Sequence, residues 1–351
     1  MQSNKIKLDQ ALKTASIDLN NLKSQDQYKI NKDLEGKVKN IEKTYTKAIS
    51  AYEKLLDLKN VTKKTEKFDS AFTDILTLLS KRNYASAESN LLAFDKEIVE
   101  EKQKILSSFQ IPPNVPENNT PPESGYSYQV VKSDVGDFLV AIVAGDLNST
   151  RVIVDTASDS DCRNDCPVLS LGDYVSRSGA YAGINGSYFC PADYPSCSDK
   201  KNSFDTLAMN KNKKYLNSDN NVYSTVPAVI FSGNSARFVG QSLEWGRDTG
   251  VDAVLAMQPL LVSNGNVVFN GDGEPKRGSK GNRSFVGASG STAYIGVVFN
   301  TTVAEAARVI KTMGIQNALN LDDGGSTALW SNGYKVGPGR NLSNVILFIR
   351  R

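Results

Sequence analysis

Apolar residues recur on two rhythms in this chain, and the change of rhythm divides it. The first stretch has helical spacing: Leu8, Leu12, Ala15, Leu19 and Leu22. After a polar break at residues 24–27 the stripe resumes through Leu34, Val38, Ile41, Tyr45, Ala48, Tyr52 and Leu55. A third run passes through Phe68, Phe72, Ile75 and Leu79, and a fourth through Tyr84, Ala87, Leu91, Phe94, Ile98 and Ile105. Side chains three or four apart share a helix face, so each run predicts an amphipathic helix. Residues 60–64 and 81–83 read as turns. The heptad-like spacing predicts an all-α unit over 1–110, a small helical bundle or coiled-coil hairpin serving as a stalk.

Residues 111–124 hold five prolines. Proline has no N–H for a ladder and a fixed φ, so this stretch predicts an extended linker and a domain boundary. Residues 1–110 are therefore expected to be separable from the remainder of the chain.

From residue 125 to 351 the pattern becomes short β-type runs: 137–144, 150–155, 226–231, 253–261, 284–288 and 293–299. Asn264-Gly265 and Asn332-Gly333 sit between apolar runs as hairpin turns. Two helices carry start signals. Ser170 with Asp173 is an aspartate variant of the capping box, and Thr302 with Glu305 is a full one. The second helix should stop at Gly314. Each helix feeds a strand, 180–184 and 318–321, that ends in a polar, glycine-containing loop. The fold class expected is α+β, a mixed α/β domain with a mostly antiparallel or mixed sheet and flanking helices, both loops lying at one end of a sheet.

Bulk composition narrows the function. A net charge of +3 over 351 residues gives no basic stripe, so nucleic acid is not an expected partner. No apolar run approaches the roughly 18 residues of a membrane span, so no transmembrane segment is expected. Residues 1–5 carry no apolar h-region, so the chain is either cytosolic or exported by a segment removed from this sequence. Cys162, Cys166, Cys190 and Cys197 bear on that choice. Two disulfides, Cys162–Cys166 and Cys190–Cys197, each closing a short loop, would place the domain outside the cell or at its surface. A four-thiolate zinc site, whose spacing fits poorly, and four free thiols are the rivals. Histidine is absent, which removes Ser-His-Asp and Cys-His catalysis and histidine-ligated zinc.

The chemistry concentrates in Asn320-Leu321-Asp322-Asp323-Gly324-Gly325-Ser326-Thr327. Leu319 and Leu321 face one way and Asn320 and Asp322 the other. The glycines then let backbone N–H groups approach a ligand. This run resembles the N-L-D-G-G-G-S motif of the phosphodiester glycosidase family. Ile184-Asn185-Gly186-Ser187-Tyr188-Phe189 resembles its I-N-G-G-F-F, Pro259-Leu260-Leu261-Val262 its P-L-L-V hairpin, and Arg283-Ser284-Phe285-Val286-Gly287 its R-T-A-I-G strand. Gly339-Arg340 with Asn344-Val345-Ile346-Leu347 resembles its closing strand. The five pieces stand in the family's order, cover nearly all of 126–351 and touch none of the helical region.

The resemblance implies hydrolysis of a sugar 1-phosphodiester in a phosphorylated glycoconjugate, releasing an N-acetylhexosamine-type sugar, with no cofactor. Asp322 and Asp323 become the candidate catalytic carboxyls, and Arg283 the guanidinium that grips phosphate. Asn185, Gly186, Ser187, Tyr188, Gly324, Gly325, Ser326 and Thr327 become candidate substrate contacts, whereas Phe189 suits the core. Asp323 departs from the family's glycine, and Ser187-Tyr188 from its Gly-Phe. Asp193, Asp205, Glu244 and Asp248 stay open as a further carboxylate. Two alternatives remain: a metal-dependent phosphodiesterase ligated by Asp322 and Asp323, and a carbohydrate-binding module without turnover. The helical part would serve self-association or contact with a cell wall.

Overall fold

The computed structural model describes residues 2–218, 225–246 and 250–351, and these divide into two compact units: 1–58 with 64–100, and 59–63 with 101–351.

In the first unit the four apolar runs are four helices, Gln2–Ser24, Asp26–Lys59, Glu66–Ser80 and Tyr84–Ser107. Ala48, Ala51, Leu55 and Leu58 are buried with Phe68, Phe72, Ile75, Leu79, Ala87, Leu91, Phe94 and Ile98. Phe72 packs at 5.3 Å from Tyr52 and 5.7 Å from Phe94, ring centre to ring centre. The last helix is fixed along the second by the Lys54–Asp95 pair at 2.7 Å and by Lys47–Glu88. Only the later part of the stripe is covered within this unit. Leu8, Leu12, Leu19, Leu22, Leu34 and Val38 are all exposed by more than half. For Leu34 and Val38 the reason is length: helices of 15 and 24 residues cannot span the whole apolar face of a 34-residue helix. Leu8, Leu12, Leu19 and Leu22 lie on the separate helix Gln2–Ser24.

The second unit holds three sheets with every strand pair antiparallel. The seven-stranded sheet runs, in spatial order, Gly125–Ser133, Gly136–Asp146, Thr292–Thr301, Gly281–Ser289, Asn317–Asn320, Leu260–Ser263 and Asn266–Val267. One face carries the helix Val303–Thr312 through Val303, Ala306, Val309 and Ile310. The other shares a core with a five-stranded sheet ordered Tyr334–Val336, Leu329–Ser331, Ala182–Asn185, Asn344–Arg350 and Thr150–Thr156. A third sheet of five short strands, including Ala228–Ser232 and Ala253–Ala256, closes the domain.

Both capping signals are in use. The Thr302 hydroxyl accepts from the Glu305 N–H at 3.1 Å, while the Glu305 carboxylate accepts from the Thr302 N–H at 2.8 Å. Ser170 accepts from the Asp173 N–H at 3.1 Å. The run 253–261 is not one strand. It breaks at Pro259 and its halves join different sheets, because proline offers no N–H to continue a ladder. The proline-rich segment is not free along its length. Asn118 donates to the Val130 carbonyl at 2.9 Å, and the Gln129 amide reaches the carbonyls of Asn118 and Thr120 at 2.7 and 2.9 Å. Its later half thus docks on the first strand. Cys162–Cys166 and Cys190–Cys197 are disulfides.

Candidate active site

The strands Ala182–Asn185 and Asn317–Asn320 lie in different sheets, so the two polar loops do not share one sheet end as expected. They meet across the gap between sheets. The Asp322 N–H donates to the Gly186 carbonyl at 2.9 Å, and the Asn185 amide donates to the Asp322 carbonyl at 2.6 Å. Asn185 is fully buried, and its carbonyl oxygen accepts from Ser284 at 2.9 Å and from the Ala328 N–H at 3.1 Å. It ties three segments together, with its carbonyl oxygen used twice and one amide N–H committed to Asp322.

Gly186 and Ser187 are also held within the protein. A Cβ on Gly186 would collide with the Asn344 backbone and amide, so only glycine fits that crossing. Asn344 accepts from the Ser187 N–H at 2.8 Å and donates to the Ser187 hydroxyl at 3.0 Å. Tyr188 is about half exposed, whereas Phe189 is buried in the core. Of the residues expected in this loop, Tyr188 is the one that presents a large surface outward.

The two carboxyls that follow the second strand have different neighbours. Asp323 accepts from Arg283 at 3.1 Å, from the Ser284 N–H at 2.9 Å and from the Asn320 amide at 3.2 Å. Burial raises its carboxyl, against the Arg283 charge and these hydrogen bonds. Asp322 accepts from the Asp323 N–H, at 2.9 Å, and from the Ser326 hydroxyl. Burial pushes its carboxyl up to about 7; the Asp323 charge adds to the rise and a nearby Arg340 charge opposes it.

Arg283 does not present the phosphate grip expected of it. It is buried, and its guanidinium donates to Thr301 O at 3.0 Å, to Asp323, to Lys276 O at 2.9 Å and to Ser279 O. A guanidinium has five donors, and four of these are occupied.

Gly324 takes φ +63°, a left-handed turn open to glycine, and Gly325 lies directly against the Arg340 guanidinium. Ser326 and Thr327 are buried. Among the described residues, the Thr327 hydroxyl and the Asn320 amide oxygen have no partner, an uncommon state for buried polar atoms and one that a bound ligand would relieve. Among the described residues no group of three or more Asp, Glu, Cys or His side chains converges as a metal cage. Glu244 is used in a cap on Gln241, Asp193 and Asp205 are exposed, and Asp248 lies outside the described residues. Asn344, Ser284, Asn320 and Arg340 join the site without having been singled out as site residues. Each stands within one of the family-like motifs, as a polar residue inside, or just before, an otherwise apolar strand.

A buried pair of carboxyls on a glycine loop, joined to a second loop from another sheet, forms the centre of the candidate site. Residues 178–349 match the family model described as phosphodiester glycosidase, so this region is a domain of that family. Comparison with curated proteins gives no match. Among solved structures, the catalytic domain of zebrafish N-acetylglucosamine-1-phosphodiester alpha-N-acetylglucosaminidase, auto-inhibited by its pro-peptide, aligns at 14% identity with TM-score 0.48, over 68% of this chain and 87% of that one. A hypothetical protein from Synechocystis aligns at 12% identity with TM-score 0.44, over 64% of this chain and 62% of that one. This chain thus spans less than two thirds of the Synechocystis protein.

Proposed function

We propose that residues 125–351 hydrolyse a sugar 1-phosphodiester by breaking the C1–O bond, and that Asp322 is the acid–base group. The observation that carries this reading is the Asp322 carboxyl, held near neutrality by burial beside Asp323 in the loop that bears the family motif. An ionised Asp322 takes a proton from the water that attacks C1. The bridging oxygen leaves with phosphorus as a phosphomonoester, and the water oxygen stays on the sugar. A phosphate anion is a good leaving group and needs little protonation, so one working carboxyl can suffice. Asp323 acts as a positioning residue, with its charge spent on Arg283 and Ser284. The Thr327 hydroxyl and the Asn320 amide oxygen are available to the sugar, which we take to be an N-acetylhexosamine. The helical unit is a stalk or self-association module, and the two disulfides support work outside the cell or at its surface.

The reading is tested in 18O-labelled water with a chromogenic sugar-1-phosphodiester. Label on the released sugar, with activity that survives EDTA, is the expected result. Label on phosphate together with loss of activity in EDTA would instead assign a metal-dependent phosphodiesterase. Binding of substrate without turnover would leave a carbohydrate-binding module.

A further inference from the structure

With Arg283 occupied inside the protein, a phosphodiester needs another cation near Asp322. Arg340 follows Gly339, whose φ of +67° turns the chain so that the Arg340 N–H donates to the Gly325 carbonyl at 2.8 Å. Its guanidinium then lies on Gly325, where any side chain would collide with it. The same group stands 5.3 Å from the ring centre of Tyr194. Lys276 stands 5.8 Å from that ring, and its own carbonyl caps Arg283. Tyr194 is buried and sits inside the loop closed by the Cys190–Cys197 disulfide.

Neither Arg340 nor Lys276 forms an ion pair among the described residues. Two cations outside any ion pair of the described residues thus gather at one aromatic ring. The inner one is half-buried, near enough to oppose the rise of the Asp322 carboxyl, and the outer one is exposed. A planar guanidinium fixed at its backbone suits two-point contact with phosphate oxygens, whereas a mobile ammonium supplies charge alone.

We infer that Arg340 seats the phosphate of the substrate and that Lys276, across Tyr194, extends this anion subsite toward the phosphorylated acceptor. This rests on the proposed reaction. It adds a polarity to it, since the acceptor leaves past the disulfide loop that holds Tyr194. Acceptors that carry more negative charge are then favoured through Lys276.

The test uses the full chain and two readouts. The first is calorimetric binding of inorganic phosphate, which requires no turnover. The second compares kcat/KM on a sugar-1-phosphodiester with that on an uncharged aryl glycoside of the same sugar. Arg340→Gln should weaken phosphate binding by at least tenfold and cut kcat/KM on the phosphodiester about 10- to 100-fold more than on the aryl glycoside, the scale of a lost charged hydrogen bond. Arg340→Lys, which keeps the charge and so guards against a folding failure, should restore binding in part. Lys276→Gln should cost only a few-fold, as an exposed charge does. Unchanged phosphate binding in Arg340→Gln, or equal losses on both substrates, would overturn the assignment. Arg340-dependent phosphate binding by a wild-type protein that hydrolyses neither substrate would keep the subsite and reject the reaction.

Discussion

Arg283 and Asp323 form a buried ion pair, Nη1 to Oδ2, at 3.1 Å. The guanidinium that the motif suggests for substrate is thereby assigned to holding a carboxylate still. Removing one partner strands the other without solvent. Arg283→Met should therefore destabilise the domain by about 3–5 kcal/mol. Urea unfolding measures this directly. Activity should fall alike on a phosphodiester and on an uncharged aryl glycoside. A loss confined to the phosphodiester would return Arg283 to the phosphate.

Asp322→Asn should abolish hydrolysis and yet raise the melting temperature at neutral pH. The wild-type carboxyl titrates near 7 when folded, against 3.8 as its ordinary value. Between those values the folded state binds the extra proton, so the ionised carboxylate costs stability as pH rises. The variant should gain a few degrees above pH 7 and nothing below about pH 4, scored by melting curves across pH. Residual kcat above about a tenth of wild type, less than ~1.4 kcal/mol in barrier, would remove Asp322 from the chemistry.

The pH profile of kcat/KM should bend near 7, with the inflection belonging to the coupled Asp322–Asp323 pair. Asp323→Asn removes a like charge and should move the bend to lower pH. A bend that stays in place would show that the titrating group is elsewhere.

Asp155 has the opposite sign. Burial works to raise its carboxyl, but bonds from Arg177 at 2.7 and 2.9 Å, Lys211 at 2.8 Å and Ser178 at 2.9 Å hold it below 3.8. Its stabilisation is therefore complete above that ordinary value and lost as pH falls through the lower folded one. Asp155→Asn should lower stability at pH 7 by about 3 kcal/mol and flatten the acid limb of the unfolding profile. Equal acid sensitivity in variant and wild type would count against it.

Deletion of residues 1–110 should leave a folded, active domain with a lowered melting temperature, since residues 59–63 and 101–110 belong to the second unit and Leu106 accepts from Asn300. Deletion through 124 should lower it further. The second cut removes the carbonyls of Asn118 and Thr120 that the buried Gln129 amide uses. An inactive 111–351 fragment would show that the helices belong to the catalytic fold.

Local rules made much of this molecule legible. The four helices and the two capped ones followed from periodicity and from Ser170 and Thr302, because those signals act within a turn. The polar loops around Asn185 and Asp322 were visible for the same reason. What the sequence could not order was partnership across the fold. Arg283 and Asp323 lie 40 residues apart, and nothing local says that the guanidinium has already been taken. The split at Pro259 and the docking of Asn118 onto Val130 also depend on pairings between distant segments. Arg340 stood in a recognised motif, but its closeness to Gly325 and Tyr194 exists only in three dimensions.

The strand Asn344–Arg350 lies between Ala182–Asn185 and Thr150–Thr156, both of which precede it by more than a hundred residues. On a ribosome those earlier strands must wait, unpaired at that edge, until this one emerges. Asn344, which secures Gly186 and Ser187, arrives with it. The candidate site is thus completed only when translation of the domain is nearly finished. A nascent or prematurely terminated chain would hold Asp322 without the scaffold that aims it.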